Sequence, residues 1–211
     1  MSTQTPNVLI LGIGNILWAD EGFGVRVVEE IANRYRFASN VRLLDGGTQG
    51  IYLVDQVRWA DVLVVFDAVD YGLPPGSFKR VEGDAVPKFM GAKKMSLHQT
   101  GFQEVLALAD LMCDFPSHLL LIGVQPVELE DFGGSLRPQV RDQIEPAIVE
   151  ARRYLEPFGV EWLPVDPEAG AATHEMPHPS LRLADYEAGR PGSDVACRIG
   201  DSRVLALRGV G

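Results

Sequence analysis

Three stretches of the chain are apolar almost without interruption: Val8 to Ile13, Val62 to Phe66 and Leu119 to Val124. Continuous runs of this length fit strands that are covered on both faces. Between them the apolar period lengthens to three and four. Val25, Val28, Ala32 and Tyr35 share one side, and Glu29, Glu30 and Arg34 take the other, which predicts a solvent-faced helix over Glu21 to Tyr35. The same period predicts helices over Ile51 to Trp59, Gly101 to Met112 and Val140 to Phe158, with Pro146 in the first turns of the last or at a kink. Short strands are expected at Val41 to Leu44, Phe78 to Val81 and Val160 to Leu163, and a loop or short helix at Asp84 to Gly91. Strands alternating with helices imply βαβ units. The expected fold class is therefore α/β: a three-layer sandwich whose twisted, mostly parallel sheet of about five strands carries helices on both faces.

The pattern breaks after Pro164. Residues 165–211 hold four prolines and six glycines among scattered apolar positions. The expected organisation is one α/β domain over 1–164 and a C-terminal extension over 165–211. Within the extension, Leu181 to Tyr186 and Val204 to Leu207 are candidates to dock on the domain; a mobile tail is the even alternative.

Composition changes little for the fold but narrows the partners. The chain has 211 residues, 46% hydrophobic and 23% charged, within the size of a single domain. A net charge of −10 argues against nucleic acid and anionic membranes as partners. Met1 to Asn7 has neither a basic residue nor an apolar core of the signal-peptide kind. Cys113 and Cys197 are far apart and form no CxxC pair, as free thiols in a reducing compartment do. A soluble cytoplasmic protein is expected.

The candidate chemistry gathers where strands end. Gly12-Ile13-Gly14 follows the first strand like the start of a dinucleotide motif. Position 17 is Leu, however, so the third glycine that permits close helix–strand packing is absent. Asp20 and Glu21 also place negative charge where a pyrophosphate would sit, and acids there equally serve as a cap for the helix dipole. In an open parallel sheet the carboxyl ends of the strands share one edge, where ligands bind. Glu21 lies beyond the end of the first strand, Asp67 ends the most buried one, and His98 precedes a helix. Two carboxylates and an imidazole on that edge suit a divalent metal, with nickel, zinc, iron and manganese all acceptable. Asp45, in Asp45-Gly46-Gly47-Thr48, reaches the same edge as a turn residue or as a further polar group. His174-Glu175-Met176-Pro177-His178 has the letters of a zinc protease motif, but Pro177 and Pro179 disrupt the helix that motif needs.

Taken together, Gly12-Ile13-Gly14-Asn15-Ile16-Leu17-Trp18-Ala19-Asp20-Glu21-Gly22-Phe23-Gly24-Val25, Asp45-Gly46-Gly47-Thr48-Gln49-Gly50, Phe66-Asp67-Ala68 and Ser96-Leu97-His98-Gln99 resemble, in order and spacing, the four motifs of the [NiFe]-hydrogenase maturation endopeptidases. The resemblance runs from about Val8 to Pro164, and the long tail is similar to that of the uptake-hydrogenase branch. It implies an endopeptidase, grouped with the aspartyl type, that removes a C-terminal peptide from the precursor of the hydrogenase large subunit after nickel insertion. It also implies Glu21, Asp67 and His98 as the nickel-recognising residues. The nickel would be carried by the substrate, with no permanently bound cofactor. Asp45 is then a candidate general base or orienter. The alternatives are a non-catalytic nucleotide-binding or regulatory domain and, through the tail motif, a zinc metalloprotease.

Overall fold

The structure, a computed structural model, describes residues 5–90, 97–165 and 181–190, with side chains at all of these except 88–90 and 97–100. The chain runs β1 (Val8–Ile13), a 3-10 turn (Ala19–Gly22), α1 (Phe23–Arg34), β2 (Tyr35–Arg36), β3 (Val41–Gly47), a 3-10 turn (Gly50–Leu53) and α2 (Val54–Trp59). It continues with β4 (Val62–Ala68), β5 (Phe78–Glu82), α3 (Ala85–Met90), α4 (Leu97–Leu111), β6 (His118–Val124), α5 (Pro138–Arg141) and α6 (Ile144–Leu155). A 3-10 turn (Glu156–Phe158), β7 (Leu163–Pro164) and α7 (Leu183–Ala188) follow.

Five strands form the main sheet in the order β3-β1-β4-β6-β5. All neighbours are parallel except β5, which runs antiparallel to β6 at the edge. The expected α/β sandwich is the one observed. Side-chain alternation along the central strands divides the interior into two cores. Val8, Ile10, Val62, Val64 and Phe66 pack against α1 and α6. Leu9, Leu11, Leu63 and Val65 pack against α2 and α4. Both faces of β1 and β4 are buried, which is why their sequences show continuous apolar runs instead of alternation.

Some expectations change. The strand expected at Val160 to Leu163 does not join the main sheet. Its counterpart, β7, pairs antiparallel with β2 in a separate two-stranded sheet. Trp162 packs edge-on against Tyr35 and Phe37, at 5.2 and 5.0 Å between ring centroids, and the three rings border the α1 and α6 side of the core without a place in the main sheet for β7. The long last helix is broken into α5, α6 and a terminal 3-10 turn, and Pro146 sits in the first turn of α6, where its missing N–H costs no helical bond. Glu29, expected on the solvent face of α1, is 6% exposed.

Residues 181–190 lie on α1. Arg26 pairs with Glu29 at 2.7 Å. The Arg26 guanidinium donates to the Leu181 carbonyl at 2.6 Å, and the Leu183 N–H donates to Glu29 Oε1 at 2.9 Å. The Tyr186 ring faces the guanidinium at 5.4 Å. The HExxH-like segment from His174 to His178 and Val204 to Leu207 lie outside the described residues. Among the described residues no helix is long and apolar enough to cross a membrane.

Candidate active site

Glycines bring the turn after β1 onto the sheet. A Cβ at Gly24 would stand 2.1 Å from the Phe66 carbonyl oxygen and 2.4 Å from that of Ile13. Gly24 therefore supplies the close helix–strand approach that Leu17 denies to the dinucleotide pattern. A Cβ at Gly12 would stand 2.2 Å from the Gly24 carbonyl oxygen. These contacts seat the Ala19–Gly22 turn over the carboxyl ends of β1 and β4. Glu21 then lies three residues ahead of a backbone contact with Phe66, the residue before Asp67.

The two acids of that turn have separate environments. Asp20 is fully buried. Its Oδ2 accepts the N–H groups of Val127 and Glu128 at 2.8 and 2.9 Å, and its Oδ1 accepts that of Arg137 at 2.7 Å. One carboxylate thus satisfies three backbone donors of the loop that follows β6, with charge-assisted bonds. The loop has further ties to the opening turn, one of them the Asp20 N–H, which donates to the Glu128 carbonyl at 3.2 Å. The Gly133 N–H donates to the Leu17 carbonyl at 2.7 Å, and Trp18 meets Phe132 edge-on at 5.3 Å. Ala19, immediately before the acid pair, has a φ of 40°, a left-handed conformation that costs a non-glycine residue about 1 kcal/mol or more. Asp20's three bonds hold that strained turn in place. Glu21, by contrast, is half-buried at the edge.

Asp67 is fully buried at the end of β4, paired in register with Gly123 of β6. By alternation with Leu63 and Val65 it lies on the α2 and α4 face. A Cβ at Gly123 would fall 2.1 Å from the Tyr71 hydroxyl, so the missing side chain makes room for that phenol. Burial, and then the charge of Asp67, push the Tyr71 phenol above its ordinary value, so it stays protonated beside the carboxylate. Gln125 fixes the Tyr71 backbone: its Oε1 accepts the N–H groups of Tyr71 and Leu73 at 2.7 and 3.1 Å. Tyr71 and Gln125 were not apparent as site residues in the sequence. The only signal for them is the position of Tyr71 four residues beyond Asp67, which no motif marks.

His98 does not precede a helix, as expected, but is the second residue of α4. The crossover from β4 through α4 to β6 turns the start of α4 toward the carboxyl edge of the sheet. The close approach of Gly50 and Gly101, whose added Cβ would lie 3.4 Å from the Gly50 Cα, brings that first turn against the loop after β3. The His98 side chain lies outside the described residues.

Asp45 reaches the same edge but on the opposite face. It is level with Gly12 in the register, and with Val41 and Leu43 it faces α1. Its Oδ1 accepts the Gly47 N–H at 2.9 Å, and the Gly47 carbonyl accepts the Gly14 N–H at 2.9 Å. Asp45 thus shapes the turn that supports the Gly12–Gly14 segment. Burial raises its carboxyl above the ordinary range, against the lowering effects of the Gly47 bond and Arg26. A raised carboxyl means that the folded state holds the proton more tightly than the unfolded chain. Its ionisation therefore costs stability that grows as pH rises through the window and is absent below about pH 4. Asp45→Asn, which keeps an acceptor for Gly47, is expected to raise the thermal midpoint at pH 7, with the gain vanishing toward pH 4. A lower midpoint at pH 7 in a pH series of thermal melts would contradict this.

The geometry agrees with what the chain is similar to. Residues 25–153 match the family HycI, hydrogenase maturation protease. That span includes Asp45, Asp67 and His98, while Glu21 lies just ahead of it. The chain is 68% identical over 200 residues to the hydrogenase expression/formation protein HupD of Thiocapsa roseopersicina, covering 95% of this chain and 90% of that protein. It is 39% identical over 158 residues to the hydrogenase 2 maturation protease of Escherichia coli K12, covering 74% of this chain and 95% of that protein. The structure of the hydrogenase maturating endopeptidase HybD from E. coli superposes with a TM-score of 0.71 at 38% identity, covering 75% of this chain and 97% of that one. With the matched family spanning most of the α/β sandwich and its carboxyl edge, the chain belongs to the hydrogenase maturation proteases, a family of endopeptidases.

Proposed function

We propose that this enzyme removes the C-terminal peptide of a nickel-loaded [NiFe]-hydrogenase large-subunit precursor and recognises the nickel through Glu21, Asp67 and His98. The observation that supports the reading best is the seating of the Glu21 turn on the end of β4, where Asp67 is buried, with the first turn of α4 on the same edge. Two carboxylates and an imidazole are hard-to-borderline donors that suit nickel left with open positions by the substrate. Because the metal arrives with the precursor, the cut becomes conditional on loading. The enzyme binds the loaded precursor more tightly than the empty one, and specificity is that difference. A metal held beside the scissile bond also polarises a carbonyl or activates water.

Asp45 acts in this reading as an orienter, since its carboxylate is occupied by the Gly47 turn and faces α1. Asp45→Asn is therefore expected to retain near-wild-type processing, and a hundredfold or larger loss, the order seen when a general base is removed, would make it the base. The reading places the enzyme with its substrate in the cytoplasm. It is tested by incubating the purified protein with the precursor, loaded with nickel or empty, and following the loss of the C-terminal peptide by intact mass. Cleavage of the loaded form alone is expected. Equal cleavage of both forms, or of neither, would overturn it.

A further inference from the structure

The loop that Asp20 clasps from within is also held from outside, by the C-terminal extension. Ser135 is 7% exposed, and its hydroxyl donates to Glu187 Oε1 of α7 at 2.5 Å. Arg141, at the end of α5, forms an ion pair with the same carboxylate. Two residues after Ser135, the Arg137 N–H is bonded to Asp20. A continuous path of hydrogen bonds therefore leads from Glu187 through Ser135 and the 135–137 backbone to Asp20, the neighbour of Glu21.

A second contact anchors the same segment. Arg26 and Glu29, two charged side chains of α1 that are 3% and 6% exposed, are covered where Leu181 and Leu183 supply backbone partners. The two charges pair with each other, and the Leu181 carbonyl and the Leu183 N–H satisfy further donor and acceptor capacity of that buried pair. Arg26 and Glu29 are also the charges that act on Asp45. The extension thus touches the support of the site at two places, the loop of residues 125–137 and the α1 surface facing Asp45, and both contacts lie more than forty residues away in sequence.

We infer that residues 181–190 are a brace that positions the 125–137 loop against the Glu21 turn, so that precursor recognition depends on the C-terminal extension. Glu187 is a positioning residue: it acts through Ser135 and touches no reacting group. The recognition half of this inference rests on the proposed function; the brace itself does not.

The test uses the full-length protein carrying Glu187→Ala, with Ser135→Ala as a second variant that removes the same bond from the side of the loop. Amide hydrogen exchange of Val127, Glu128 and Arg137 is expected to rise about tenfold in both, the scale set by losing one charge-assisted hydrogen bond. The KM for nickel-loaded precursor is expected to rise several-fold while kcat holds. Glu187→Gln, which keeps an acceptor for Ser135, is expected to restore both readouts in large part. Unchanged exchange at those three amides would overturn the brace. Raised exchange with an unchanged KM would overturn its link to recognition. If the wild-type protein processes no precursor, the proposed function fails and the recognition half fails with it, while the exchange result still decides the brace.

Discussion

Replacing Asp20 with alanine is expected to destabilise the protein by about 3–5 kcal/mol, because three backbone donors that converge on this fully buried carboxylate lose a charged acceptor at once. The donors belong to Val127, Glu128 and Arg137, more than a hundred residues away, so the loss is of a tertiary tie and not of a helix cap. For a chain of this size such a loss lowers the thermal midpoint by roughly 10 °C. Asp20→Asn is expected to fall between. Its single oxygen can serve Val127 and Glu128, but its amino group then opposes the Arg137 N–H. Thermal melts of the three proteins give the order wild type, Asn, Ala. An alanine variant within about 1 kcal/mol of wild type would show that water replaces the carboxylate without cost.

The adjacent acid is expected to behave in the opposite way. Glu21→Gln is expected to lower processing of nickel-loaded precursor about a hundredfold or more, beyond the effect of losing a group that merely supports a metal ligand. Glu21 is half-buried and lies at the edge, so stability is expected to stay within about 1 kcal/mol of wild type. The pair is therefore expected to separate the two effects within two residues: Asp20 variants should change the melt, and Glu21 variants the rate. The measurement is intact-mass kinetics on loaded precursor beside a melt of each variant. A Glu21→Gln protein that processes at the wild-type rate removes Glu21 from the nickel-recognising set.

Much of the fold is legible in the sequence for a local reason. The strands β1, β4 and β6 are buried on both faces, and burial on both faces demands the unbroken apolar runs that mark them. The carboxyl-edge location of Glu21, Asp67 and Asp45 follows from the βαβ order, since parallel strands put all their exits at one edge. The boundaries of α4 were less legible. Leu97 to Thr100 carry no helical apolar period of their own, yet they continue the helix begun by the packing of Phe102, Val105 and Leu106.

The sequence by itself determined the sandwich, the family motifs and the edge at which they gather. It did not determine that Asp20, of the pair Asp20-Glu21, is the acid that ties the loop after β6, because the deciding amides lie at Val127, Glu128 and Arg137. Nor did it separate Asp45 from Asp67, since facing α1 or α4 depends on where each falls in the alternation of its strand. The burial of Arg26 and Glu29 had no local trace at all. Helical periodicity places Glu29 toward solvent; its ion pair with Arg26 is local, but the segment that covers the pair and adds the Leu183 N–H to Glu29 comes some 150 residues later. Local patterning records which surface an element buries against its own sheet. Hydrogen bonds closed across long stretches of chain leave no period to read, and in this protein those bonds decide the shape of the site.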